Sequence, residues 1–166
     1  MKKEYLRITI ILIGVVFLLV YSLLGDNYIR YAKNLDYKGL ERLKSFENND
    51  IFRVYKANSG EIIQLVRKRG YVKNIVFLSV IKDSKIINVR IITNNESEDY
   101  GKYIENEWFL DRLKLSIKNR LEIVKIVKEK ENEVVAVTGA TISSQAMVDG
   151  INDCINNYKE IKNESK

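Results

Sequence analysis

Histidine and proline are absent from this 166-residue chain, and cysteine occurs once, at Cys154. Without an imidazole there is no Ser-His-Asp arrangement, no histidine-bound zinc or haem, and no side chain whose ordinary titration falls near neutral pH. A single cysteine excludes an intramolecular disulfide, a CxxC redox pair and a thiolate set for an iron–sulfur cluster. Redox chemistry in such a chain requires a borrowed organic cofactor. With no proline, no Pro/Gly/Ser-rich tract and no internal repeat, the sequence marks no linker between separate domains.

What is present supports one packed domain plus an anchor. The chain is 46% hydrophobic and 30% charged, enough for a core and against global disorder. Its length leaves no room for two full domains. The net charge is +6, but the basic residues are spread along the chain and alternate with Glu and Asp. That is the pattern of a solvated surface, with an anionic membrane surface second; nucleic acid is not an expected partner.

Ile8 to Leu24 is an unbroken apolar run of 17 uncharged residues. As a helix it would span roughly 26 Å, close to the ~30 Å hydrocarbon core of a bilayer. Tyr5, Tyr21, Tyr28 and Tyr31 lie near its two ends, where amphipathic aromatics collect. Lys2, Lys3 and Arg7 precede it and predict a cytoplasmic N-terminus with the remainder outside the cell. Small residues are missing at a plausible cleavage pair, so an uncleaved, single-pass anchor in the bacterial cell membrane is expected rather than a signal peptide.

The rest reads as an α+β domain with a mainly antiparallel sheet and flanking helices. Apolar residues from Ile29 to Phe46 recur at helical spacing and predict a membrane-proximal helix. Hairpins are expected at Ile51–Ala57 with Glu61–Lys68, and at Tyr71–Ile81 with Lys85–Thr93. A polar, acidic loop leads to a helix over Lys102–Ile117, short strands at Leu121–Lys128 and Val134–Val137, and a final helix over Ile142–Ile161. The expected organisation is therefore 1–26 as cytoplasmic start and anchor, 27–50 as membrane-proximal helix and 51–166 as the functional domain.

The candidate site is the passage from strand to helix at Val137-Thr138-Gly139-Ala140-Thr141-Ile142-Ser143-Ser144. Gly139 lets the backbone turn sharply and come close to a ligand. Thr141 and Ser143 both suit a helix N-cap, and the free N–H groups of a helix start attract phosphate. The same residues also suit an ordinary capped helix. The Lys-Ser/Thr ending of a nucleotide-type phosphate loop is missing.

This segment resembles the signature of the FMN-binding domain family, which includes the G subunit of Rnf-type electron-transport complexes and the C subunit of sodium-pumping NADH:quinone oxidoreductases. The likeness extends from about Val54 to Tyr158. Gly70-Tyr71 opens a long apolar strand and hairpin, and Glu96-Ser97-Glu98-Asp99-Tyr100-Gly101 follows where the family has Glu-Thr-Pro-Gly-Leu-Gly, matching at Glu96 and Gly101. The resemblance implies FMN carried on Thr141 through a phosphoester bond. It implies cofactor contacts from Thr138, Gly139, Ala140, Ser143, Ser144, Glu96 and Gly101. The family commonly has Asp at the place of Val135, within the pattern a flavin transferase reads, and Glu133 is out of register with it.

The implied function is a membrane-anchored electron-transfer flavoprotein that works with membrane redox subunits and is matured by a flavin transferase. A flavin-free or non-covalent FMN module that anchors a membrane complex is the alternative. Tyr71, Phe77, Tyr100, Tyr103 and Trp108 are candidate walls for a flavin ring, each with core packing as the simpler reading. Cys154 shares a helical stripe with Ile151, Ile155 and Tyr158 and reads as a core residue.

Overall fold

The computed structural model describes residues 11–16 and 28–164. Residues 11–16 are helical and exposed, while most of the expected anchor over Ile8–Leu24 lies outside the described residues. Among the described residues, no helix is long and apolar enough to cross a membrane. The chain divides into two units, residues 1–35 and 36–166. In the first, helix α1 covers Ile29–Lys33 only. The helix expected to reach Phe46 stops there because Asp36 (φ 58°) and Gly39 (φ 63°) both adopt left-handed backbone, which an α-helix cannot accommodate.

The second unit is built on an antiparallel meander. Strands β1 (Glu41–Arg42), β2 (Ile51–Lys56), β3 (Ile62–Arg69), β4 (Asn74–Lys82) and β5 (Lys85–Thr93) pair in sequence order. The two expected hairpins are both present. Asp83 (φ 49°) and Ser84 (φ 60°) form the tight turn between β4 and β5, with the two positive φ values that match the twist of a two-residue hairpin. β4 begins three residues later than its apolar run suggested, because residues 70–73 turn: the Gly70 N–H donates to the Lys73 carbonyl at 2.8 Å.

The predicted helix over Lys102–Ile117 is instead three short pieces. A 3-10 turn at Gly101–Glu105 ends where Asn106 is extended (ψ 139°), α2 covers Glu107–Leu110, and a second 3-10 turn covers Asp111–Leu113. The chain then runs along the β4–β5 hairpin, with Ile86 N–H donating to Leu115 O and Ile117 N–H to Ser84 O. Strands β6 (Glu122–Val124) and β7 (Glu133–Val135) form a separate two-stranded parallel ladder. Both strands therefore point their C-terminal ends the same way, and residues 125–132 double back between them.

Helix α3 (Thr141–Glu164) completes the domain and packs on β3 and β4. Ile62, Val66, Ile75, Phe77 and Ile81 of the sheet and Met147, Ile151, Cys154 and Ile155 of the helix belong to one buried cluster. The Gln64 amide crosses this interface, donating to the Cys154 carbonyl (2.9 Å) and accepting from Asn157 (2.8 Å). Lys68 bridges Asp50 and Asp153 at its edge. Asn152 exchanges two hydrogen bonds with the Leu121 backbone and so fixes the start of β6 to the helix. Cys154 is fully buried, and burial pushes its thiol far above the ordinary range, as expected of a core residue.

Gly150 allows the helix to approach the sheet. A Cβ there would lie 2.6 Å from Cζ of Phe77, a fully buried ring. Gly150→Leu is expected to lower the free energy of unfolding by about 2 kcal/mol through overpacking, read from the midpoint of urea denaturation; an unchanged midpoint would contradict this packing.

Candidate functional site

β7 carries the chain into the turn that the sequence singled out. Beyond Val135 the ladder continues with one bond, Ala136 N–H to Val124 O at 2.8 Å, and the chain then tightens through Ala140 N–H to Val137 O at 2.9 Å. Gly139 has φ 79°, a conformation that costs a residue with a Cβ. A Cβ would also stand 2.5 Å from the Tyr100 ring. Thr138 and Gly139 are exposed and Ala140 is buried.

Thr141 is the first residue of α3 and is exposed. The Ser144 N–H returns to the Ala140 carbonyl at 2.8 Å. The N–H groups of the preceding turn have no intrahelical partner, and with the helix dipole they favour a phosphate. Thr141 lines a cleft of about 230 Å³ together with Tyr71, Ser97, Gly101, Gly139, Ala140, Ile142 and Ser143. Pockets that bury a whole small ligand run to ~300–1,000 Å³, so this cleft has room for part of a flavin mononucleotide and is too small to enclose one. The exposed Thr141, the N–H groups without intrahelical partners and the glycine turn all fit the phosphate end of that cofactor.

Several expected contacts have other duties. The Ser144 hydroxyl is buried and accepts the Val137 N–H at 3.0 Å, clamping the strand end to the helix. Ser143 is also buried, and its hydroxyl donates to the Glu96 carboxylate. Glu96 itself accepts the backbone N–H groups of Tyr71 (2.9 Å), Val72 (3.1 Å) and Lys73 (3.1 Å). Four protein donors thus surround one carboxylate in a backbone nest. Gly70 and Gly101 make room for it, since a Cβ at either would fall within 2.5 Å of a Glu96 atom. Gly101 additionally donates its N–H to the Ser97 hydroxyl at 3.1 Å.

The aromatic candidates separate cleanly. Phe77 is fully buried against α3 and belongs to the core. Tyr71 lines the cleft, and Tyr100 packs beneath Gly139. Tyr103 and Trp108 are about half exposed and do not line the cleft. Trp108 instead lies under the Arg112 guanidinium, 4.7 Å away, and Arg112 donates to the Val135 carbonyl at 2.8 Å. Glu133 does not stand in for an Asp at 135, because its carboxylate accepts the N–H groups of Glu129 and Lys130 in its own turn. Sequence reasoning missed Ser97 and Ile142 as lining residues. It also missed the nest at residues 71–73, for which Gly70 beside an acidic loop was the available signal.

Burial works to raise the Glu96 pKa, but the hydrogen bonds from Ser143 and the three N–H groups outweigh it and hold the carboxyl below its ordinary value. The resulting stabilisation is complete above the unfolded value of ~4.3 and is lost as pH falls through the lower folded value. Glu96→Gln is expected to cost about 2 kcal/mol at pH 7. The gap in thermal stability to wild type should close as pH falls below ~4; a gap that stays constant in acid would rule out an ionised Glu96 as its source.

The chain is 32% identical over 119 residues to the G subunit of the Na(+)-translocating ferredoxin:NAD(+) oxidoreductase complex of Acetobacterium woodii, covering 68% of this chain and 58% of that protein. It is 30% identical over 82 residues to the G subunit of the proton-translocating ferredoxin:NAD(+) oxidoreductase complex of Clostridium ljungdahlii, covering 48% and 43%. The chain thus spans about half the length of these relatives. The crystal structure of Shewanella oneidensis NqrC shares the fold, with a TM-score of 0.51 at 19% identity over 60% of this chain and 53% of that one. The model of the FMN-binding domain matches residues 70–156, just over half the chain. That match begins at the Gly70 turn and takes in the Glu96 nest and the Thr138–Thr141 turn, and the chain belongs to the FMN-binding domain family, with FMN as its cofactor.

Proposed function

We propose that this protein is a membrane-anchored electron-transfer flavoprotein that carries FMN as a phosphoester on Thr141 and works among the subunits of an Rnf-like membrane redox complex. The observation that carries the reading is the position of Thr141: an exposed hydroxyl-bearing residue at the first turn of α3, lining the cleft. Bound FMN supplies the electron-accepting and electron-donating chemistry that a chain with no histidine and one buried thiol lacks.

The chain's own residues bind and orient. The N–H groups at the start of α3 hold the phosphate, Gly139 lets the backbone come close, and Ser144 keeps the strand end and helix start together. Ile142 and Tyr71 give the cleft an apolar side. Lys2, Lys3 and Arg7 support a cytoplasmic N-terminus, and the apolar run after them supports a single anchor with the FMN domain outside the cell. Covalent attachment suits that location, where a reversibly held cofactor would be lost to a dilute medium by mass action. A flavin transferase would form the ester during maturation. The relatives' membership of ferredoxin:NAD(+) oxidoreductase complexes supports membrane redox subunits as partners.

Val135, where the family commonly has Asp, favours a second reading: FMN held without a covalent bond, or a flavin-free anchoring module. Co-expression of the full chain with a flavin transferase, followed by denaturing electrophoresis, separates the readings. Flavin fluorescence is expected to migrate with the wild-type polypeptide, to persist in Thr138→Ala and to vanish in Thr141→Ala. Fluorescence that survives Thr141→Ala would remove the proposed attachment point. A folded wild-type chain that releases all its flavin on denaturation supports non-covalent binding, and one that never contains flavin supports the anchoring module.

A further inference from the structure

Glu96 lies beside the cleft, yet its oxygens are already taken up by four protein donors. Three of these are consecutive backbone N–H groups, at 2.9, 3.1 and 3.1 Å, from Tyr71, Val72 and Lys73; the fourth is the buried Ser143 hydroxyl on the first turn of α3. The 70–73 turn lies between β3 and β4, and Tyr71 is 67% exposed while lining the cleft. Little apolar contact therefore fixes the Tyr71 ring, and the backbone beneath it is held by the carboxylate. At both Gly70 and Gly101 the atom nearest a Cβ would belong to the Glu96 side chain, within 2.5 Å, with Ile75 and Ser97 next. Two separate segments are thus shaped around one acidic group.

We propose that Glu96 is a positioning residue: it latches the 70–73 turn to the start of α3 and so holds Tyr71 as the cleft wall facing the flavin. The inference rests on the reading of Thr141 as the FMN site, and it replaces direct contact between Glu96 and the cofactor. A glutamine at 96 keeps the length but turns one of the two acceptor oxygens into an N–H donor facing donors. The nest then loses its centre while the strands on either side keep their ladders.

Two measurements on the full chain test this. In amide hydrogen exchange without flavin, Glu96→Gln should speed exchange at Tyr71, Val72 and Lys73 at least tenfold, with Ile151 and Cys154 of α3 unchanged. In the flavin-loaded chain, a tyrosine ring beside the isoalloxazine quenches its fluorescence, so Tyr71→Ala should raise emission several-fold. Glu96→Gln should raise it similarly, and the double variant should be no brighter than Tyr71→Ala alone, the non-additivity expected of two residues acting through one effect. Unchanged exchange at 71–73, or an emission gain that adds to that of Tyr71→Ala, overturns the proposal. If α3 also loses protection in Glu96→Gln, Ser143→Ala, which cuts the link to the helix and leaves the three N–H bonds of the nest, takes its place in the emission measurement with the same criterion. A wild-type chain that takes up no flavin defeats the proposed function and the role of Tyr71 as a flavin wall, whereas the exchange result on its own decides whether the latch exists.

Discussion

Much of the site depends on one carboxylate being kept ionised in a half-buried place. Glu96 gathers donors from the turn before β4 and from the first turn of α3, where Ser143 lies 47 residues further along the chain. Such an arrangement is favourable only when all the acceptor positions are used, because an unsatisfied charge in that place costs more than the hydrogen bonds return. Two glycines supply the clearance. The acidic loop is therefore part of the frame that gives the cleft its shape, and the helix start is free to present its own donors outward.

Behind that frame, α3 is held to the sheet by apolar packing and by a small number of satisfied polar contacts. Gln64 and Asn157 join the middle of β3 to the helix, and Asn152 reaches the start of β6. The Thr138–Thr141 turn is thus suspended between two fixed points, the β6–β7 ladder and the helix body. A position set from both ends is what the proposed attachment of FMN at Thr141 would need, since such a bond would fix one atom and leave the scaffold to fix the rest.

The sequence revealed most where local pattern and final structure share a cause. The Asn58-Ser59-Gly60 and Lys82-Asp83-Ser84 turns marked the hairpins because tight turns require those residue types. The stripe from Val148 through Ile151, Ile155 and Tyr158 marked α3 because one face is buried. Apolar spacing misled at Lys102–Ile117, where Ile104, Leu110, Leu113 and Ile117 all reach the core but from two 3-10 turns, a short helix and a turn. Periodicity reports burial, not the hydrogen-bond pattern that achieves it. Phe77 illustrates the same limit: aromaticity could not say whether the ring would line a cleft or fill the core. Glu96 was legible as important and not as to its role, because its four partners become neighbours only through tertiary structure.

The parallel pairing of β6 and β7 has a consequence for how this protein can vary. A parallel pair needs a return connection, and residues 125–132 supply it as a short excursion, carrying the exposed Ile126 and Val127. Because β6 and β7 run in the same direction, that excursion leaves the ladder at the end where the chain enters the Thr138–Thr141 turn. Changes in its length cost little in chain entropy and leave the meander sheet and α3 intact. The surface next to the Thr138–Thr141 turn can thus change while the turn itself keeps its two supports, the β6–β7 ladder and α3.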